Sequence, residues 1–304
     1  MNVNLCAIEI NNEVLAAASS LEFATEIQDT QGLAMSCDVS KDGKLDSTEE
    51  SDDKAFMPEI PEEYNLKDIV TNGNKHERKQ IIDLLNEFSN IWKNNNSLPC
   101  TSLVEHSIPT GESRPIYQKQ YRLPQVLTKV VKSTVQTLLE KGIIQESSSP
   151  WASPVVVVPK KSADGSKKYR MCLDLRALNA VTLPDVYPIP NIIETLGHLG
   201  GCKYFTTLDL DSGYYQVLID KKDKSKTAFN TPDGHFEFNR MPFGLINAPA
   251  TFQRLMDSVL RGLKPERVLV YLDDLIIFNR TFEGHLESLR QVFSRLRDAS
   301  LKLN

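Results

Sequence analysis

The sequence predicts an α+β fold, an antiparallel sheet packed on helices, behind an acidic N-terminal segment expected to be largely disordered. Three observations carry this. Short apolar runs bounded by turn residues recur between residues 155 and 278, the mark of buried strands. Two of the hairpins they suggest have Asp-Gly at the tip, in Ser162-Ala-Asp-Gly165 and Pro232-Asp-Gly234. Helical spacing fills the intervals and the C-terminal end, most clearly over residues 247–261 and 281–296.

Bulk properties narrow the class. A chain of 304 residues, 40% hydrophobic and 25% charged, can bury a core as one large domain or two ordinary ones. The longest aliphatic run, residues 155–158, ends at Pro159, so no segment is expected to span a membrane. Met1-Asn-Val-Asn-Leu5 lacks the basic start and apolar block of a signal peptide. The five cysteines (6, 37, 100, 172 and 202) are odd in number and never spaced C-x-x-C. This argues against a disulfide framework or a zinc site and for a reducing compartment. Charge is divided: residues 1–63 hold 15 Asp/Glu and 3 Lys/Arg, a balance of −12, against +7 for the remainder. The basic body is where a polyanion would bind.

Taken in order, residues 37–61 are polar, acidic and proline-broken, the composition of a linker. Within them Asp38-Val-Ser-Lys-Asp-Gly-Lys-Leu-Asp-Ser-Thr-Glu49 has the ligand spacing of an EF-hand calcium loop. No apolar helix face follows it and no second loop exists, so the sequence does not support calcium binding. Residues 81–92 read as an amphipathic helix, 103–123 as an extended strap, and 126–140 as a helix that Gly142 can end. Strands are expected at 155–158 and 168–173, joined through the hairpin that carries Lys160, Lys161, Lys167, Lys168 and Arg170. Five cations with one acid, Asp164, suit a phosphate-facing finger better than a merely solvated edge. Residues 191–199 read as a short helix, 203–211 as a strand ending in acids, and 214–219 as another strand after Ser212-Gly213. A hairpin is expected over 227–239. Asn247 and Thr281 are the expected N-caps of the last two helices, and 301–304 looks like the start of a strand.

Chemistry concentrates in Val268-Leu-Val-Tyr-Leu-Asp-Asp-Leu-Ile-Ile-Phe278. Asp273 and Asp274 lie between two runs apolar enough to be buried on both faces, where ionised carboxylates need a cation or strong donors. A plain hairpin turn is the bland alternative, although Asp-Asp lacks the glycine such turns favour. Asp209 or Asp211 could join the pair, and periodicity does not choose between them. Three carboxylates without His or Cys select Mg²⁺ or Mn²⁺, and two such ions with basic fingers nearby suggest phosphoryl transfer on nucleotides or nucleic acid.

Residues 81–304 closely resemble the reverse transcriptase of gypsy-type LTR retrotransposon polyproteins. The resemblance rests on Val104-Glu-His-Ser-Ile108, Tyr169-Arg-Met-Cys-Leu-Asp-Leu-Arg-Ala-Leu-Asn179 and Tyr187-Pro-Ile-Pro190. It continues through Leu208-Asp-Leu-Asp-Ser-Gly-Tyr-Tyr-Gln216, Met241-Pro-Phe-Gly-Leu-Ile-Asn-Ala-Pro-Ala-Thr-Phe-Gln253 and Tyr271-Leu-Asp-Asp274. It implies a right-hand polymerase, with residues 1–80 an acidic leader, 81–150 a strap and helices leading into the fingers, and 151–304 fingers and palm. The implied activity is RNA-directed DNA polymerisation with a template-primer of RNA or DNA, dNTPs and two Mg²⁺ or Mn²⁺ ions. Asp209 takes the place of the first metal-binding aspartate, Leu210 offers its backbone carbonyl, and Asp273 and Asp274 complete the site. Arg170 matches the finger arginine on the triphosphate, assisted by Lys160 or Lys161. Tyr214 matches the bulky residue beneath the sugar, and Phe243 and Gly244 the loop against the nucleotide; core packing is the alternative for both aromatics. The thumb, connection and RNase H regions of the family lie beyond residue 304, and residues 1–63 hold no Asp-Thr/Ser-Gly protease signature. A truncated remnant that binds nucleic acid without extending it is therefore the alternative function. A receiver-like signalling domain is excluded by the order of the acids, the lone aspartate standing 64 residues before the pair. The implied location is an intracellular retroelement particle, cytoplasmic or nuclear, in an unspecified oligomeric state.

Overall fold

The computed structural model describes residues 4–7, 74–92, 99–160, 168–188, 197–210, 212–271 and 274–303. The EF-hand-like loop at 38–49, the hairpin tip at 161–167 and Asp273 lie outside these residues.

The palm sheet has the order β1-β6-β11-β10, antiparallel throughout: β1 (Asn4–Ala7), β6 (Tyr204–Asp209), β10 (Val268–Tyr271) and β11 (Asp274–Asn279). Val268, Val270, Leu275, Ile277 and Leu208 face the main core, while Leu269, Phe278 and Phe205 meet Leu199 and Cys202 on the other face. Both faces are thus buried, which is why the two halves of residues 268–278 are so apolar. The five-stranded sheet runs β3-β9-β8-β4-β5, from β3 (Ile144–Glu146), β4 (Ser153–Lys160), β5 (Lys168–Leu173), β8 (Phe229–Thr231) and β9 (Gly234–Phe238). The expected finger strands pair antiparallel from Val155↔Leu173 to Lys160↔Lys168. A parallel pair, β2 (Thr101–His106) with β7 (Val217–Ile219), joins the strap to the palm.

Helices cover the main-core face. α1 (Lys75–Glu87) begins at a capping box: Asn74 Oδ1 accepts from the Glu77 N–H and Glu77 Oε2 from the Asn74 N–H. It starts earlier than its apolar periodicity, and a 3₁₀ turn, Ser89–Ile91, replaces its expected end. There Trp92 meets Phe293 edge-on at 5.0 Å between ring centroids. α2 (Gln125–Glu140) ends at Gly142, φ +64°, as its sequence implies. α3 (Arg176–Val181) follows β5 directly. α4 (Ala248–Val259) packs on β10, and α5 (Phe282–Asp298) on β11 and β6. Thr281 caps α5 as expected, its Oγ1 accepting from the Gly284 N–H.

Two expectations need correction. Residues 214–219 are not one strand: Ser212 takes a left-handed φ of +49°, Gly213–Gln216 form a 3₁₀ turn, and β7 starts only at Val217. Close packing holds this turn, since a Cβ on Gly213 would come within 3.1 Å of the Phe252 ring. Asn247 stands at the N-cap position of α4 without capping it, because its side chain is engaged elsewhere.

Candidate active site at the end of the palm sheet

The palm ladder is apolar or uncharged through Phe205↔Phe278, Thr206↔Ile277, Thr207↔Ile276 and Leu208↔Leu275, and then closes on Asp209↔Asp274. Directly opposed residues of an antiparallel pair have Cα atoms about 4.5–5.5 Å apart and side chains on one face. Two carboxylates so placed repel unless a cation or strong donors intervene. Asp209 is partly buried and Asp274 exposed, so the acidic end of the ladder opens to solvent. β10 and β11 pair antiparallel as far as Tyr271↔Asp274, and residues 272 and 273 lie outside the described residues. Leu210 is buried by its side chain and bridges Leu303 through its backbone. Hard oxygen donors at a solvent-facing strand end suit Mg²⁺ or Mn²⁺. Among the described residues no group of three potential metal ligands forms; Asp211 and Asp273 lie outside them.

Buried contacts to histidines tie β6 to α5 and β2 to α4. Thr206 Oγ1 lies 2.8 Å from His285 Nε2 of α5, and His106 Nδ1 on β2 lies 2.9 Å from Thr251 Oγ1 on α4. Burial lowers the pKa of both histidines to about 4, so both are neutral spacers near neutral pH.

The 3₁₀ turn that follows β6 carries an aromatic group. The Tyr214 ring, 7% exposed, stacks on Phe243 at 4.9 Å and tilts against Phe252 at 5.4 Å. Phe243 itself is 48% exposed. Tyr215 meets Phe243 edge-on at 5.5 Å; burial, then the nearby Cys172, pushes its pKa up to about 12. Arg170 is exposed on β5, and it shares a strand face with Cys172, two residues on. Gly244 has φ +92°, a conformation that favours glycine in this loop. The side chains of Lys160 and Lys161 lie outside the described residues.

Several side-chain bonds had no assigned role in the sequence. Asp174 holds Arg176 in a two-pronged ion pair, with contacts of 2.8 and 2.7 Å, and accepts a bond from the Tyr121 hydroxyl at 3.0 Å. The Arg176 guanidinium keeps the Asp174 carboxyl below the usual range. Gln120 bonds both backbone groups of Val155, tying the strap to β4. Arg254 lies over the Tyr187 ring at 4.6 Å and pairs with Asp185, while Tyr187 donates to Asp257. Such side-chain bonds between distant segments leave no periodicity to read.

An antiparallel sheet on helices, with acids meeting at a strand end and a basic hairpin in the same chain, defines the palm and fingers of a polymerase. Residues 158–304 match the family described as reverse transcriptase (RNA-dependent DNA polymerase). The chain is 50% identical over 232 residues to the retrovirus-related Pol polyprotein from transposon 297 of Drosophila melanogaster, covering 76% of this chain and 22% of that protein. It is 41% identical to the Pol polyprotein from transposon gypsy of the same organism, over 69% of this chain and 20% of the relative. Among solved structures, the foamy viral protease-reverse transcriptase in complex with an RNA/DNA hybrid aligns with TM-score 0.69 and 29% identity, over 77% of this chain and 31% of that one. The same protein in complex with dsDNA aligns with TM-score 0.65 and 27% identity, over 77% and 46%. The chain belongs to the reverse transcriptase family, with relatives in the Pol polyproteins of gypsy-type LTR retrotransposons. It spans about a fifth of the length of those relatives.

Proposed function

We propose that the chain is the fingers and palm of an RNA-directed DNA polymerase that adds dNTPs to a primer 3′-hydroxyl on an RNA or DNA template. The observation that carries this is the opposition of Asp209 and Asp274 at the open end of the palm ladder. Asp209, Asp273, Asp274 and the Leu210 carbonyl would hold two Mg²⁺ or Mn²⁺ ions. When bound, the ions favour ionisation of the primer hydroxyl and offset the charge on the leaving phosphate oxygens. The Arg170 guanidinium donates to the triphosphate, with Lys160 or Lys161 adding charge from the finger hairpin. Tyr214, backed by Phe252, sits beneath the incoming sugar and excludes a 2′-hydroxyl by bulk, and the Phe243–Gly244 loop lies against the nucleotide. Residues 1–80 serve as an acidic leader, residues 81–150 lead into the fingers, and thumb, connection and RNase H regions belong to the remainder of a parent polyprotein. The reading places the protein in an intracellular retroelement particle.

Primer extension by the purified chain on an RNA template with a DNA primer, Mg²⁺ or Mn²⁺ and dNTPs tests the proposal. A ladder of extended products that depends on Asp209 supports it. Template binding without any extension would replace it by a remnant that only binds nucleic acid.

A further inference from the structure

Two asparagines grip each other's chain segments where the fingers join the palm. Asn179, on α3, donates from Nδ2 to the Gly244 carbonyl at 2.8 Å, and its Oδ1 accepts from the Ile246 N–H at 3.0 Å. Asn247, at the end of that loop, donates from Nδ2 to the Leu183 carbonyl at 2.8 Å. Its Oδ1 accepts from the Asp185 N–H at 2.9 Å. Each amide uses both its ends on the backbone of the opposite segment, as a strand partner would. Together the four bonds lace residues 179–185, which continue the chain from β5, to residues 244–247, which lead into α4. β5 carries Arg170, and the loop just before Asn247 carries Phe243 and Gly244.

We propose that this reciprocal Asn179–Asn247 clasp is the positioning device that sets the distance between the Arg170 strand and the Phe243–Gly244 loop, and so sets nucleotide affinity. The inference rests on the polymerase reading for its link to the nucleotide. Neither asparagine touches the reacting atoms; both act through the loop. Gly244, at φ +92°, does not hold that loop through its own conformation, because a glycine there is free to leave it. Helix α4 does not hold it either, since its N-cap position makes no side-chain cap and Asn247 is turned instead to Leu183 and Asp185. The Phe243 ring on Tyr214 and the buried Leu245 seat the loop on the palm, and the amides add its register against α3. Asn179 is half-buried and Asn247 is 5% exposed, so the first can be changed at less cost to the core.

The test uses the full chain with Asn179→Ala, Asn179→Asp and Asn247→Ala. A pair of side-chain bonds of this kind corresponds to about a tenfold effect. In primer extension, Asn179→Ala should raise KM for dNTP about tenfold with kcat nearly unchanged. Asn179→Asp, which keeps the bond from the Ile246 N–H and loses the one to Gly244, should fall between. In a Phe243→Ala background the same substitution should add little, because the element being positioned is already gone. Hydrogen exchange gives a readout independent of polymerase activity. Asn179→Ala should speed exchange across 243–247, and Asn247→Ala should speed it across both 183–185 and 243–247. If kcat falls while KM holds, or if Asn247→Ala leaves 243–246 protected, the clasp is not a positioning device. If exchange behaves as expected but wild-type protein extends no primer, the polymerase reading fails and the clasp stands as a structural lock alone.

Discussion

Thr206 Oγ1, on the strand that ends in Asp209, is 2.8 Å from Nε2 of the fully buried His285 on α5. The bond fixes the height of the Asp209 strand over its supporting helix, and it does so with a histidine held neutral. Burial takes His285 from the ordinary 6.5 down to about 4. His106 falls equally far, its burial outweighing the attraction of Asp223 and Asp185.

The sign of the resulting pH dependence follows. Below pH 6.5 the unfolded chain protonates these two histidines and the folded chain does not, so acid favours unfolding. Stability from this source is complete above pH 6.5 and is lost as the pH falls toward 4. Each histidine should cost about 2 kcal/mol between pH 6.5 and pH 5. Urea denaturation at pH 7 and pH 5 measures it, and His285→Gln should remove about half of the difference. Equal stability at the two pH values would mean that the histidines protonate within the fold.

Asp209 and Asp274 predict opposite effects on activity and stability. Asp209→Asn should abolish primer extension, yet without divalent metal it should leave the melting temperature unchanged or raise it by a few degrees, because it removes a like-charge pair. Asp274→Asn should be less damaging to extension, because its carboxylate is exposed and would be the more peripheral ligand. Extension that survives in Asp209→Asn protein would assign the first metal ligand to another acid.

Tyr214 and Phe243 should separate by burial. If Tyr214 lies beneath the sugar as proposed, Tyr214→Val should admit ribonucleotides, at a stability cost of about 2–4 kcal/mol for a buried aromatic. Phe243→Ala removes a half-exposed ring and should cost about 1 kcal/mol while weakening nucleotide binding. Parallel single-nucleotide incorporation with dATP and ATP, together with thermal melts, distinguishes them. An unchanged sugar preference in folded Tyr214→Val protein would leave that ring a packing role alone.

Charge should govern template binding. A basic body holds phosphates with log K falling by roughly 0.7–0.9 per phosphate neutralised for each log unit of salt. The −12 balance of residues 1–63 should compete for the same surface. Because Asn4–Ala7 form the edge strand β1 beside β6, the clean variant neutralises acids among residues 9–63 and does not delete the leader. It should bind primed template more tightly at 20 mM salt and nearly equally at 300 mM. Equal binding at both would show that the leader lies clear of the nucleic acid.

Local periodicity was sufficient for the α+β class, for the strands on either side of the Asp273–Asp274 pair and for the helices after Asn247 and Thr281. A strand buried on both faces must be apolar throughout, and a core-facing helix must repeat every three to four residues, so burial writes itself into the order of residues. The motif order from Val104 to Asp274 likewise carried the family. Periodicity could not choose among Asp209, Asp211 and the acidic pair, because alternation states that two residues share a face and not which residue of another strand lies opposite. The antiparallel register of β11 on β6 brings Asp274 opposite Asp209, while Asp211 lies outside the described residues. The 3₁₀ turn at Gly213–Gln216 came from the close approach of Phe252, 36 residues beyond Gln216, which no local window contains. Asn247 read as a cap and became half of a clasp for the same reason: an amide bonds whichever backbone is within reach, and only the folded chain brought Leu183 and Asp185 there.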